Sequence, residues 1–224
     1  MKGRIAEVFE SVQGEGLYLG EQQLFVRFFG CNLSCRFCDT KLNRFIEYEP
    51  QELFDEIKLY QDGFHSISFT GGEPLLQKDF LKEGLKLTHG QKYKNYLETN
   101  GTLCGELAEV IDYLDIVAMD LKLPSSTCMG GGLWGLHKKF LKIAQAKEVF
   151  LKTIICQTTE EKDLLTGLAL IKEVNAATVL VLQPNSFDDY DALREKLENF
   201  REISINQGIT TCVIPQIHKN VGIK

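Results

Sequence analysis

Short runs of β-branched and aromatic residues alternate with longer stretches of helical period, and this alternation constrains the fold more than any other feature of the chain. Gln23-Leu24-Phe25-Val26-Arg27-Phe28-Phe29 reads as a strand. So do Ser66–Thr70, Asn95–Glu98, Ile116–Asp120, Val149–Ile155, Thr178–Gln183 and Thr210–Ile214. Between them Leu107, Val110, Ile111 and Leu114 stand at i, i+3, i+4, i+7. Leu164, Leu168 and Ile171 keep the same period, as do Leu193, Leu197 and Phe200. Parallel strands need a crossover, usually a helix, between them. The pattern predicts a single α/β domain over residues 1–224, with mainly parallel strands and crossover helices, open or partly closed as a (β/α) barrel. No internal repeat or low-complexity stretch interrupts it. A chain of 224 residues buries enough surface to fold without a disulfide or metal staple.

In folds of this kind ligands bind at the carboxyl ends of the strands. The segments that follow the predicted strands are the unusual ones: Gly30–Lys41, Thr70–Pro74, Glu98–Gly101, Asp120–Gly132 and Gln183–Asn185. They are rich in Gly, Pro, Asn, Cys and Asp, whereas the segments before the strands are plainer. Ser125–Gly132, with three successive glycines, reads as a flexible loop. The charge of −6, from 25 basic and 31 acidic residues, carries no basic footprint for nucleic acid. No apolar run approaches the ~18 residues of a membrane helix. The N-terminal residues Met1–Glu7 do not lead into a secretory signal. The expectation is a cytoplasmic protein that binds neither nucleic acid nor membrane.

Seven cysteines are an odd number for a disulfide framework. Cys104, Cys128, Cys156 and Cys212 are scattered and read as packing residues. Cys31, Cys35 and Cys38 crowd into eight residues with the spacing C-x3-C-x2-C. A closed zinc site wants a fourth ligand, which Asp39 or a distant histidine would have to supply. A [4Fe–4S] cluster held by three thiolates instead leaves one iron open to a chelating small molecule. After the next predicted strand comes Gly71-Gly72-Glu73-Pro74, two flexible residues, a carboxylate and a stiffening proline.

The triplet, Phe37 before its third cysteine, and Gly71-Gly72-Glu73-Pro74 together resemble the signature of the radical S-adenosylmethionine (SAM) superfamily. That resemblance implies a partial (β/α) barrel of the radical SAM type. It also implies a [4Fe–4S] cluster on Cys31, Cys35 and Cys38 whose open iron binds the amino and carboxylate groups of SAM. Reductive cleavage of the bound cofactor then yields a 5′-deoxyadenosyl radical. Further segments narrow the likeness: Ser11–Gly16, Phe25-Val26-Arg27, Cys38-Asp39-Thr40 and Val213–Lys219. With them the whole chain is similar to the 7-carboxy-7-deazaguanine synthase family of queuosine and 7-deazapurine biosynthesis, carbon–nitrogen lyases. The implied reaction converts 6-carboxy-5,6,7,8-tetrahydropterin to 7-carboxy-7-deazaguanine by ring contraction with loss of ammonia. SAM is regenerated and Mg2+ assists.

The same resemblance implies residue roles. Val12, Gln13, Gly14, Glu15, Arg27, Thr70 and His218 are expected at the substrate. Arg27 offers a planar fork to a carboxylate, and it stands inside an apolar run where a surface arginine is out of place. Phe37, Cys38, Asp39, Gly72, Glu73, Asp120, Lys122, Gln183 and Asn185 are expected at SAM, with Asn100 a weaker candidate. Family members often carry a Ser-Pro-Lys-like segment where this chain has Asp120-Leu121-Lys122, so only the lysine matches. Thr40 is expected to give Mg2+ a hard oxygen ligand. The implied partners are a reductant of the flavodoxin or ferredoxin kind and a second copy of the chain. A glycyl-radical-enzyme activase shares the triplet and a similar length, but gives no reason for Gln13-Gly14-Glu15 or for the tail from Pro215 to Lys219. Another deazapurine-like radical reaction and a non-enzymatic metal-binding module are the remaining alternatives.

Overall fold

A computed structural model describes residues 1–40, 42–60, 63–129 and 132–217. Among them nine strands form one sheet in the order β3-β1-β2-β4-β5-β6-β7-β8-β9. The strands are β1 (Gly3–Val12), β2 (Gln22–Phe28), β3 (Ile46–Tyr48), β4 (Ser66–Gly71), β5 (Asn95–Thr99), β6 (Ile116–Asp120), β7 (Glu148–Ile155), β8 (Leu180–Pro184) and β9 (Thr211–Val213). From β2 through β9 all neighbours are parallel. At one edge β1 runs antiparallel to both β2 and β3. Because β3 and β9 do not pair, the sheet is an open, partial barrel.

The seven strands expected from the sequence are β2 and β4–β9, displaced by no more than two residues at either end. Two strands were not expected. β1 interleaves Arg4, Glu7 and Glu10 with apolar residues and carries a register shift between Ile5 and Glu7. β3 has only three residues, none of them buried. Both lie outside the parallel core, where two-sided burial does not enforce a continuous apolar run.

The helices are α1 (Pro50–Ile57), α2 (Lys78–Gly90), α3 (Cys104–Val110), the single turn α4 (Pro124–Thr127), α5 (Trp134–Ala144), α6 (Glu161–Asn175) and α7 (Tyr190–Asn206). The apolar stripe that begins at Leu107 outlasts its helix. α3 ends at Val110, and a 3-10 turn over Ile111–Tyr113 keeps Leu114 buried. Leu164, Leu168 and Ile171 of α6 and Leu193, Leu197 and Phe200 of α7 are buried in the main core. Burying each such side chain contributes about 1.5–3 kcal/mol. The segment expected as a flexible loop instead begins with the helical turn α4, which stops where Cys128 takes the left-handed conformation at φ 57°. The first two of its three glycines, Gly130 and Gly131, lie outside the described residues.

The two faces of the sheet are used differently. One face packs on the helices through residues such as Leu97, Val117, Met119, Leu151 and Leu182. The other face carries a smaller cluster of Tyr96, Ile116, Ala118, Phe150 and Val181, with Tyr18 packed on it. Side chains two apart along a strand share a face. One step beyond that cluster toward the carboxyl ends, the same face therefore presents Glu98, Asp120, Lys152 and Gln183. An apolar floor thus gives way to a charged layer over one strand pleat.

Candidate active site

The carboxyl ends of β2 and β4–β8 open onto one pocket, lined by Cys31, Cys35 and Cys38 together with Phe9, Phe25, Arg27, Thr70 and Glu98. The loop after β2 carries the thiols. Its start is held by the glycine turn after β4: Gly72 N donates to the Phe28 carbonyl at 3.0 Å and Glu73 N to that of Gly30 at 2.8 Å. A Cβ on Gly72 would stand 2.0 Å from the Gly30 oxygen, and one on Gly71 2.3 Å from that of Phe28. The glycines therefore allow one backbone to lie directly on another.

Cys31 and Cys38 are exposed and Cys35 is partly covered. Burial pushes the Cys35 thiol up, with Lys122 opposing. Among the described residues no three thiol, imidazole or carboxylate groups already surround one metal ion. A cubane bonds each thiolate to a different iron, so its ligands need not converge on a point. Cys31, Cys35 and Cys38 line the pocket and the scattered Cys104, Cys128, Cys156 and Cys212 do not, so three soft donors without a fourth fit a cluster that keeps an open iron. Lys122 Nζ sits 5.2 Å from the centre of the Phe37 ring and 2.7 Å from Asp120 Oδ2. Asp39, Gly72, Gln183 and Asn185 also line the pocket, as expected for a cofactor side. Gln183 Oε1 is buried without a hydrogen-bond partner among the described residues, which fits a donor-bearing ligand.

Glu73 was expected to meet the cofactor with its carboxylate, and it does not line the pocket. It is fully buried and accepts from Leu75 N, Thr99 Oγ1 and Asn100 N, the last at 2.7 Å. Burial, partly offset by these bonds, pushes its pKa up to about 7. It acts as a buckle between the turns after β4 and β5.

On the substrate side, the Gln13 amide spends itself inside the protein. Its Nε2 donates to Gln23 Oε1 at 2.9 Å and to Glu98 Oε1 at 2.8 Å, and its Oε1 accepts from Glu15 N at 3.2 Å. Thr70 Oγ1 donates to Glu98 Oε2 at 2.8 Å. Glu98 thus ties together two residues expected at the substrate. Burial raises its pKa against the pull of Lys152. Arg27 Nε is 2.8 Å from Glu7 Oε1, and its guanidinium lies 5.4 Å from the centre of the Phe9 ring. Phe9 in turn stacks on Phe25, 5.2 Å apart and 10° from parallel.

Lys152 projects from β7 into the middle of the charged layer. It pairs closely with Glu15 and stands 3.6 Å from Asp120. Burial alone would lower its pKa, but Asp120, Glu15 and Glu98 raise it, so it stays a cation. Burial would likewise raise Glu15, yet Lys152 and the amides of Gln216 and Gln183 hold it down at about 2. Gln216 Nε2 reaches Glu15 Oε2 at 2.8 Å, and Ile217 N donates to the Gly14 carbonyl at 3.0 Å. Within the described residues, Gln216 of the tail thus reaches the pocket and Ile217 ties the tail to the Gly14 backbone. His218, expected at the substrate, lies outside the described residues. Thr40 lines the pocket, with its hydroxyl 3.3 Å from Asp39 Oδ1.

Glu7, Phe9, Phe25, Glu98, Lys152 and Gln216 were not singled out as site residues in the sequence. A lysine in the buried run Val149–Ile155 was the readable signal for one of them. Phe9 and Glu7 sit on the strand that the sequence pattern hid.

A thiol triplet at the carboxyl ends of an open parallel sheet, backed by a glycine turn, defines a radical SAM enzyme, and residues 25–160 match the radical SAM superfamily. The [4Fe–4S] cluster and SAM follow as its cofactors. The chain belongs to the 7-carboxy-7-deazaguanine synthase family within it. It is 33% identical to the 7-carboxy-7-deazaguanine synthase of Geobacter sulfurreducens, over 97% of this chain and 96% of that one. It is 42% identical to the one from Methanothermobacter thermautotrophicus, over 100% and 99%. The crystal structure of QueE from Escherichia coli shares the fold with a TM-score of 0.66, at 20% identity over 95% of this chain and 94% of that one.

Proposed function

We infer that this enzyme converts 6-carboxy-5,6,7,8-tetrahydropterin to 7-carboxy-7-deazaguanine with loss of ammonia, the reaction of its family. The observation that supports this most is the composition of the pocket. It joins a loop of three thiols to an arginine, two stacked phenyl rings and a carboxylate–amide network. When bound, the cluster and SAM supply the electron and the hydrogen-abstracting chemistry.

The chain's own residues then have distinct tasks. Glu7 orients Arg27, whose fork suits the carboxylate of the substrate. Phe9 and Phe25 offer a flat apolar side to a bicyclic ring. The backbone of Val12–Gly14, with Glu15 and Thr70, takes the polar ring edges, and His218 is assigned there too. Phe37, Cys38, Asp39, Gly72, Asp120, Lys122, Gln183 and Asn185 hold the cofactor. Lys152 keeps Glu15 an anion and so keeps an acceptor ready for ring N–H groups. Thr40 contributes one hard oxygen to Mg2+, beside the carboxylate whose charge the ion offsets. A flavodoxin or ferredoxin as electron donor and association as a homodimer complete the proposal.

The test is an anaerobic assay of the reconstituted, reduced protein with SAM, Mg2+ and the carboxylated tetrahydropterin, followed by mass spectrometry. Formation of 7-carboxy-7-deazaguanine with SAM recovered intact is expected. SAM cleavage with no change in the pterin would overturn the substrate and keep the class. Thr40→Ala should raise the Mg2+ concentration needed for half-maximal rate, and an unchanged requirement would remove Thr40 from the ion.

A further inference from the structure

The loop after β2 is fastened to the turn after β5 by a closed ring of three side chains. Asn100 Nδ2 donates to Asn32 Oδ1 at 2.8 Å, Asn32 Nδ2 to Thr102 Oγ1 at 2.9 Å, and Thr102 Oγ1 to Asn100 Oδ1 at 2.6 Å. The direction of this ring is not arbitrary. Thr102 N, a backbone group that can only donate, also points at Asn100 Oδ1 at 3.2 Å. That contact fixes which end of the Asn100 amide is oxygen and turns its NH2 toward the loop. One of its two hydrogens serves Asn32. The other faces Cys31 Sγ, 3.9 Å from Nδ2.

Asn100 is held from behind as well. Its backbone N donates to buried Glu73, and its carbonyl accepts from His137 Nε2 at 3.2 Å. His137 is itself fully buried. Cys31 Sγ receives a further N–H from Leu33 at 3.4 Å. The Cys38 thiol, by contrast, points to the carbonyl oxygen of Thr40 at 3.8 Å. The three thiols are therefore unequal, and Cys31 is the one turned toward donors.

Resting on the reading of this loop as the cluster's ligand set, we propose that Asn100 is a positioning residue for Cys31: it aims an N–H at that sulfur and so raises the reduction potential of the [4Fe–4S] cluster. A hydrogen bond to a ligating sulfur withdraws charge from it and favours the reduced, more negative state. The Asn32–Thr102–Asn100 ring holds the donor in place, so the effect is set by the fold and requires neither SAM nor substrate.

The experiment is an EPR-monitored redox titration of the reconstituted full chain without SAM, with iron content and the thermal unfolding midpoint as controls. Asn100→Ala should shift the cluster midpoint to more negative potential at unchanged iron content. Asn100→Asp keeps both bonds from Thr102 but has no donor for the sulfur. Its midpoint should fall at least as far, since its charge adds to the lost bond. Asn32→Ala cuts the ring but leaves the donor, and should give a smaller shift of the same sign. Either Asn100 variant loading the wild-type amount of iron with an unshifted or raised midpoint overturns the proposal. If the unmutated protein itself takes up no four-iron cluster, the ligand reading fails instead.

Discussion

A methyl group cannot replace a thiolate as a ligand to iron. Cys31→Ala, Cys35→Ala and Cys38→Ala are each expected to abolish cluster loading. Cys104→Ala, Cys128→Ala, Cys156→Ala and Cys212→Ala should retain about four irons per chain. Iron analysis and visible absorbance after anaerobic reconstitution decide the matter, and full loading in any of the first three would contradict the ligand assignment. Arg27 makes a second prediction. Removing a charged partner from a buried carboxylate costs about 2–5 kcal/mol. Arg27→Ala should therefore lower kcat/KM for the pterin by well over tenfold. SAM cleavage without substrate should continue, because Arg27 is engaged by Glu7 and Phe9 and is not one of the three thiol ligands. Steady-state kinetics and a cleavage assay run side by side test both halves. At this scale the sequence spoke through residue types that stand out against their surroundings: three thiols in eight residues, an arginine in an apolar run. Glu98 and Gln216 gave no such contrast, since glutamate at a strand end and glutamine in a tail are ordinary, and only the tertiary contacts assign them.

The elements differ in how much of them could be read. β4 to β8 are buried along most of their length, and their β-branched and aromatic residues stand out as short runs even where a polar residue interrupts them. β1 lies toward the edge, alternates charge with apolar residues and contains an irregular register, so its period is blurred. Missing β1 concealed Phe9, which lines the pocket, and Glu7, which pairs with Arg27. The buckle between the turns after β4 and β5 carries a pH prediction. Burial raises Glu73 from an ordinary value of 4.5 to about 7. A raised acid contributes stability that is fully present below its unfolded pKa and is lost as pH rises through its folded pKa. Between pH ~4.5 and ~7 Glu73 should thus withdraw stability on the order of 3 kcal/mol from the metal-free protein. Glu73→Gln, neutral throughout, should flatten that decline. Thermal midpoints of both proteins across the window measure the difference, and parallel curves would show that Glu73 titrates normally.

Across the whole molecule, the site is assembled from segments nearly the full chain apart: Glu15 near the start is held by Lys152, Gln183 and Gln216. Parallel topology explains why this was partly foreseeable, since it sends every carboxyl end to the same rim. What topology does not specify is which tail residue closes the rim. Gln216→Ala removes a hydrogen bond to an ionised carboxylate, worth about 1.5–3 kcal/mol. It should lower the thermal midpoint by about 2–4 °C per kcal/mol lost and kcat/KM for the pterin by about tenfold or more. Kinetics with an unfolding control test this, and an unaltered rate would make the tail a bystander.

The glycine turn that lies on the thiol loop also sets an order of events during synthesis. The three thiols are complete once Cys38 has been made, but the backbone that holds their loop comes from Gly72 and Glu73, and the side-chain ring is finished only with Thr102. At about 5–20 residues per second, the chain needs roughly 3–13 seconds to travel from the last thiol to the last part of its frame. For that interval the growing chain carries its three thiols without the structure that defines their geometry.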